Sequence, residues 1–273
     1  MTNDKRAPVR SLVLGRTTKY AIIVLAMVFA ALWLAPDIVA RLNRKSDEAW
    51  ARVQQSGIIR FAIDPSYMPF DGLGSHNDFF GIDVEIAQEI ARRLGVKAEF
   101  VVTGNDSLYD VVKVGQADAV ISALIVDPSR STHWKYSTSY FDAGQVMIRP
   151  LGASTTPATS IAVEFGSDGD ASARRITRRQ ADVSVQHYPS ADEALQAAVD
   201  GTAKAAITDH VSAAQLLAKK FSALEITAQV TSDPYAIAVW ETSEDLLSKI
   251  DTTLEAMRND GALQRIIDGW LKR

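Results

Sequence analysis

Residues 56–101 read SGIIRFAIDPSYMPFDGLGSHNDFFGIDVEIAQEIARRLGVKAEFV, and this stretch decides the fold. Ile58–Ile63 is a short apolar run rich in isoleucine, bounded by Gly57 before it and Asp64-Pro65 after it, which predicts a strand. From Asp83 to Leu94 the apolar residues fall at Val84, Ile86, Ala87, Ile90, Ala91 and Leu94, one stripe of a helix. Asp83 is expected to cap the start of that helix and Gly95 its end. Ala98–Val102 then reads as a second strand.

The same alternation runs outward through Leu108–Val114 (helix), Ala119–Leu124 (strand), Ser160–Glu164, Ala191–Val199, Ala203–Thr208, Val211–Lys219 and Ala223–Val230. Strands alternating with helices predict an α/β fold whose sheets are mostly parallel and covered on both faces. Residues 150–160, rich in Gly, Ser, Thr and Pro, mark a shift in composition where one lobe is expected to give way to another.

Composition narrows the function. With 273 residues and 47% hydrophobic content the chain can bury two cores of ordinary size. Its net charge is -4, and its densest basic cluster, Arg174, Arg175, Arg178 and Arg179, has the spacing of a solvated helix face rather than a nucleic-acid groove. The absence of cysteine excludes disulfides, thiolate metal sites, a cysteine nucleophile and a lipid anchor on an N-terminal Cys.

The N-terminus predicts a membrane. Residues 1–19 carry Lys5, Arg6, Arg10, Arg16 and Lys19 against a single acid, and Tyr20 to Ala35 follows without a charge. Extended to Ala40, this segment reaches the length of a spanning helix, and the small-x-small pattern of a cleavage site is poor because Trp33 and Phe29 stand two positions before Ala35 and Ala31. A retained anchor over 20–40 is therefore expected in preference to a cleaved signal, with residues 1–50 as tail, membrane segment and linker. Basic residues Arg41, Arg44, Lys45 and Arg52 balance the other flank, so charge says little about orientation.

Catalytic signatures are sparse. Gly72-Leu73-Gly74 lacks the third glycine of a phosphate-cradling loop, no GxSxG elbow occurs, and the scattered His76, His133, His187 and His210 form no HExxH pair. Gly166-Ser167-Asp168-Gly169-Asp170 has acidic spacing but lacks the rest of a calcium loop, and reads as a helix start capped by Ser167 or Asp168. No cofactor or metal is expected.

The 56–101 stretch resembles the opening of the polar-amino-acid-binding family of bacterial extracellular solute-binding proteins, family 3. Asp64, Pro65, Tyr67, Pro69 and Phe70 fill that family's turn motif, and Gly81, Ile82 and Asp83 fill most of its helix start. The resemblance resumes in GQADAVISALIVDPSRSTHWKYSTSYFDAG, IAVEFGS, GTAKAAITDH and the C-terminal DPYAIAVWETSEDLLSKIDTTLEAMRNDGALQRIIDGWLKR. It implies a two-lobed periplasmic-binding-protein fold (type II). Lobe one would be 51–148 with 238–273, and lobe two 149–237. The implied role is capture of a small polar ligand, an amino acid, for the permease of an ABC transporter, at the outer face of the membrane or in the periplasm. A few relatives with this fold are dehydratases, so an enzyme is one alternative, and a ligand-sensing domain working with a signalling partner is the other.

The family's contact positions carry over residue by residue. Arg130 would clamp a carboxylate with its planar fork. Asp209 would accept an ammonium, and Tyr67 would lie on the ligand's apolar stem. Tyr140, Ser122, Asp64, Ser167 and Asp168 complete the expected lining. Two departures bear on specificity: Ile125 stands where the family has a hydroxyl, and Asp168 where it has Ser or Thr. The acid surplus of Asp168 and Asp209 over Arg130 favours a cationic amino acid.

Overall fold

The computed structural model describes residues 47–153 and 157–272, and Asp47–Arg273 forms one compact unit. The expected membrane segment lies outside the described residues. Among the described residues, no helix is long and apolar enough to cross a membrane.

In chain order the elements are α1 (Glu48–Ser56), β1 (Ile58–Ile63), β2 (Gly72–Leu73), β3 (Phe79–Phe80), α2 (Ile82–Leu94), β4 (Lys97–Val102), α3 (Leu108–Lys113), β5 (Ala119–Val120), β6 (Trp134–Tyr136) and β7 (Phe141–Asp142). They continue with β8 (Gln145–Pro150), β9 (Ser160–Glu164), α4 (Asp168–Thr177), β10 (Ser184–Tyr188), α5 (Ala191–Val199), β11 (Ala205–Asp209) and α6 (His210–Lys219). The chain closes with β12 (Leu224–Gln229), β13 (Pro234–Tyr235), β14 (Ala238–Trp240), α7 (Glu244–Asn259) and α8 (Ala262–Leu271).

Two five-stranded sheets organise these elements, in the orders β4-β1-β5-β14-β6 and β10-β9-β11-β8-β12. In the first, β1 runs parallel to β4 and β5; in the second, β9 runs parallel to β10 and β11. The expected α/β class and alternation hold, and the carboxyl ends of parallel strands define one rim in each lobe. The second sheet begins at Gln145, so the composition shift at Pro150 marks the end of its first strand rather than the crossing between lobes.

Helix starts and stops follow from their end residues. Asp47 caps α1, its Oδ1 accepting from the Trp50 N–H at 3.0 Å while Oδ2 accepts from the Leu246 N–H at 2.9 Å. Gly95, left-handed at φ 74°, ends α2 as the sequence predicts. The start of α2 does not. Gly81 occupies its N-cap at φ 126°, and a Cβ there would stand 2.0 Å from the Phe70 carbonyl oxygen. Asp83 lies inside the first turn, where its carboxylate accepts from the Ala123 N–H and makes no capping bond, a correction to its expected capping role.

The strand expected over Ala119–Leu124 is cut to Ala119–Val120 because Ala123 adopts φ 42°, a left-handed conformation that alanine enters only at a cost. The core of lobe one gathers Phe61, Ile86, Ile90, Ile121 and Ile237 with Leu246, Ile250, Leu254 and Met257 of the returning tail. Lobe two packs Val146, Ile148, Leu195 and Phe221 beneath its own sheet. Asp118 locks the end of the first sheet to α1: it is 2% exposed and accepts from the Arg60 N–H, the Arg60 guanidinium and the Arg52 guanidinium. Burial pushes its carboxyl up, but the bonds from Arg60 and Arg52 outweigh burial and hold it below the ordinary range.

Two short strands join the lobes. β7 and β13 pair antiparallel, and the chain passes at once from β7 into β8. Asp142 knots the crossing, accepting from the N–H groups of Gly144 (3.0 Å) and Asp233 (2.8 Å) and from the hydroxyl of Ser232 (2.6 Å).

Candidate ligand cleft

The rim of lobe one is built where β1 and β5 end side by side. Asp64 follows β1, half-buried, and its N–H donates to Ser122 Oγ at 3.1 Å. The 64–70 turn then returns over the rim. Tyr67 is 50% exposed and stacks on the buried Phe70 at 5.9 Å, and its hydroxyl shares a hydrogen bond with that of Tyr235 at 3.4 Å. Phe70 in turn packs on Phe141 and Tyr235 of the crossing strands at 5.4 and 5.1 Å. Ile125 bridges to Tyr235 through its backbone and leaves its side chain 50% exposed. Asp64, Tyr67, Ser122 and Ile125 therefore share one rim, tied to the hinge by aromatic contacts.

Arg130 sits apart from this group on a single 3₁₀ turn, Pro128–Arg130. Its guanidinium pairs with Asp127 at 3.2 Å and lies 4.3 Å from the centre of the Tyr109 ring. At 49% exposure its guanidinium is accessible to solvent, held by a partner on its own turn.

Lobe two presents the ends of β9 and β11. Ser167 is the N-cap of α4: its Oγ accepts from the Asp170 N–H at 3.1 Å, as the sequence predicts for this position, and donates to the Glu164 carbonyl at 2.8 Å. Asp168 begins the helix and is exposed. Asp209 caps α6, its Oδ1 accepting from the Ser212 N–H at 2.8 Å, and stays half-buried with its second oxygen available. The capping and ligand readings of Asp209 are compatible, since a carboxylate offers more than one acceptor. Gly169 lets the start of α4 pack closely on β11: a Cβ there would lie 2.8 Å from the Ile207 carbonyl and 3.2 Å from Ser167 Oγ.

Tyr140 does not line this cleft. It is 4% exposed, and its hydroxyl lies beside Asp83 without completing a hydrogen bond. Asp83 and Asp71 are both fully buried beneath the rim, and sequence reading missed Asp71 altogether. Burial first, and then the charge of Asp83, push the Asp71 carboxyl up to about 9; burial pushes Asp83 to about 7 against the bond it accepts from the Ala123 N–H. A raised acid is what a dehydratase would place against its substrate, yet these two are sealed from solvent. A separate cavity of about 580 Å³ opens between the hinge and helices α6 and α8, lined by Phe141, His210, Leu217 and Ile267. Of the expected ligand residues only Tyr140 reaches it.

Two lobes, each presenting the carboxyl ends of parallel strands and joined by a two-strand crossing, define a binding protein of the clamp type. Residues 59–273 match the family described as bacterial extracellular solute-binding proteins, family 3, and the chain belongs to that family. It is similar to ABC transporter arginine-binding protein 1 of Escherichia coli K12, 26% identical over 218 residues that cover 78% of this chain and 90% of the relative. Its fold is similar to the L-cystine solute receptor of Neisseria gonorrhoeae in the unliganded open conformation, with TM-score 0.68 at 20% identity over 82% of this chain and 96% of that one. It is similar also to an ancestral cyclohexadienyl dehydratase, with TM-score 0.69 at 22% identity over 81% of this chain and 95% of that one. The chain is a solute-binding protein by family.

Proposed function

We propose that this protein captures a cationic α-amino acid between its lobes and delivers it to the permease of an ABC importer. The observation that carries this reading is the charge balance of the rims. Among the rim residues described above, the acids Asp64, Asp168 and Asp209 outnumber the accessible cation Arg130, so a ligand with one carboxylate and two positive groups is the complementary one. Arg130 takes the carboxylate, Asp209 the α-ammonium and Asp64 or Asp168 the distal cation, while Tyr67 and Ile125 cover the aliphatic stem. The resemblance to an arginine-binding protein supports this choice. Binding without chemistry is supported by the burial of both raised acids, which keeps them off the rim surface.

Titration calorimetry with L-arginine, L-lysine, L-glutamine and L-glutamate at pH 7 tests the reading. Arginine or lysine should bind at least tenfold more tightly than glutamate, about 1.4 kcal/mol. Preference for glutamate would reject it. The stretch Tyr20–Ala40, apolar apart from Asp37, holds the protein at the outer face of the membrane in this reading. Full-length protein should then remain in the pellet after carbonate extraction; release into the supernatant, with a new N-terminus near residue 36 or 41, would replace the anchor with a cleaved signal.

A further inference from the structure

Beneath the rim lies an acid pair that ligand capture, as described so far, does not use. Asp71 follows the 64–70 turn and Asp83 lies in the first turn of α2; neither has exposed surface. Asp71 Oδ2 accepts from the Ser122 hydroxyl at 2.7 Å, and Asp83 Oδ2 accepts from the Ala123 N–H at 2.5 Å. The second oxygen of each acid is buried without a partner, and so is the hydroxyl of Tyr140, which is aimed at Asp83. The titratable groups acting on the pair are Asp64 at the end of β1, Tyr140 before β7 and Tyr235 on β13, all of them acids. Two carboxylates in so dry a setting, with no cation among these groups, cannot both ionise, and the pair keeps a proton at neutral pH.

The place of that proton decides what Ser122 can do. A serine hydroxyl has one proton to give and two lone pairs. One lone pair of Ser122 Oγ already accepts the Asp64 N–H. When Asp71 is ionised, the single Ser122 proton must point at Asp71. When Asp71 is protonated, the acid donates to the remaining lone pair of Ser122, and the serine proton is free to turn toward the cleft and a ligand carboxylate. Oxygens and protons balance in both states: one proton on Asp71 exchanges for one hydrogen bond offered to the ligand.

We propose that Asp71 is a positioning residue that sets the direction of the Ser122 hydroxyl, so that capture of a carboxylate ligand is linked to a proton held beneath the site. This rests on the reading that Ser122 meets the ligand. Burial and the neighbouring charge of Asp83 raise the Asp71 carboxyl well above the usual carboxylate range, which puts the effect on the alkaline side of neutrality.

The test compares wild type, Asp71→Ala and Asp71→Asn, with L-arginine as the probe, from pH 6 to pH 10. An Asn amide donates to Ser122 as the protonated acid does but cannot lose the proton. Asp71→Ala should weaken binding at every pH, and Asp71→Asn should recover affinity at pH 7. The ratio of wild-type to Asn dissociation constants should then climb about tenfold between pH 8 and pH 10, titration of arginine itself cancelling between the two proteins. A ligand-free arm follows thermal unfolding. Because the folded carboxyl binds its proton more tightly than the unfolded one, wild-type stability should fall as pH rises from about 4 toward 9, and Asp71→Asn should lose part of that slope. Coincident pH profiles for wild type and Asn, in affinity or in unfolding, would overturn the proposal. A chain that ignores arginine at pH 7 but shows the Asp71-dependent unfolding slope would fail the ligand reading instead.

Discussion

Arg130 is spoken for before any ligand arrives, and what holds it decides how well it can serve. Its salt bridge to Asp127 spans one exposed turn, and such pairs contribute little. Asp127 has other support, accepting from the Ser129 N–H at 2.9 Å and the Ser129 hydroxyl at 2.6 Å; these bonds hold its carboxyl below the ordinary range. If Arg130 clamps the ligand as proposed, a ligand carboxylate can displace Asp127 from it without stranding Asp127, and would gain a pair of parallel charge-assisted bonds. Truncating one member of a desolvated charge pair costs about 2 to 5 kcal/mol. Arg130→Ala should accordingly weaken arginine binding by roughly thirtyfold to several thousandfold. Arg130→Lys should recover part of this, since an ammonium keeps the charge but not the fork. The unfolding midpoint should barely move, because the side chain is half exposed and outside both cores. Calorimetry showing Arg130→Ala within about threefold of wild type, less than half of the tenfold that 1.4 kcal/mol represents on a logarithmic scale, would remove Arg130 from the site.

At the scale of elements, what was legible in the sequence is what local physics decides. β1, β9 and α5 begin and end on the residues that their apolar runs and end signals predict, and Gly95 stops α2 where a left-handed residue is needed. The rims follow from those elements, since the ends of β1, β5, β9 and β11 place Asp64, Ser122, Ser167 and Asp209. What escaped depends on chain segments distant in sequence. Ile121 to Leu124 reads as strand because it is apolar, but Asp83, 40 residues earlier, holds the Ala123 N–H and bends the chain out of the sheet at φ 42°. Such strain persists only where surrounding contacts impose it, and here it shapes the rim beside Ser122. Asp71 looks like one more polar residue before a glycine; only the return of Ser122 over it, 51 residues later, shows that it is buried and bonded. The motif position of Tyr140 points to the cleft, but Tyr140 immediately precedes the crossing strand β7 and packs into the lobe-one core with Phe141 and Tyr235.

At the scale of the whole molecule, a site split between lobes works only if the lobes move. In the proposed site, Arg130, Asp64 and Tyr67 lie on lobe one and Ser167, Asp168 and Asp209 on lobe two, so a ligand would gain both sets of contacts only in a closed form and would shift the population toward it. The pivot is narrow. Asp142 gathers donors from both crossing segments, and at Gly144 the strands approach so closely that a Cβ would stand 2.2 Å from the Thr231 carbonyl oxygen. The Gln145 N–H donates to Thr231 Oγ1 at 2.8 Å, and His210 Nδ1 meets the Asp142 carbonyl at 2.8 Å, so the start of α6, with Asp209 as its cap, is tied directly to the hinge. Rotation about 142–145 and 230–233 thus carries Asp209 with it, and rigid lobes need only those few residues to change conformation. Small-angle scattering on the fragment beginning at Asp47 should show a smaller radius of gyration with saturating L-arginine than without. Gly144→Ala, which touches no expected ligand contact, should blunt that change and weaken binding together, because its methyl group would wedge the two crossings apart. A radius that stays constant while calorimetry confirms binding would mean the site is complete on open lobes, and the pairing of Arg130 with Asp209 across the cleft would have to be abandoned.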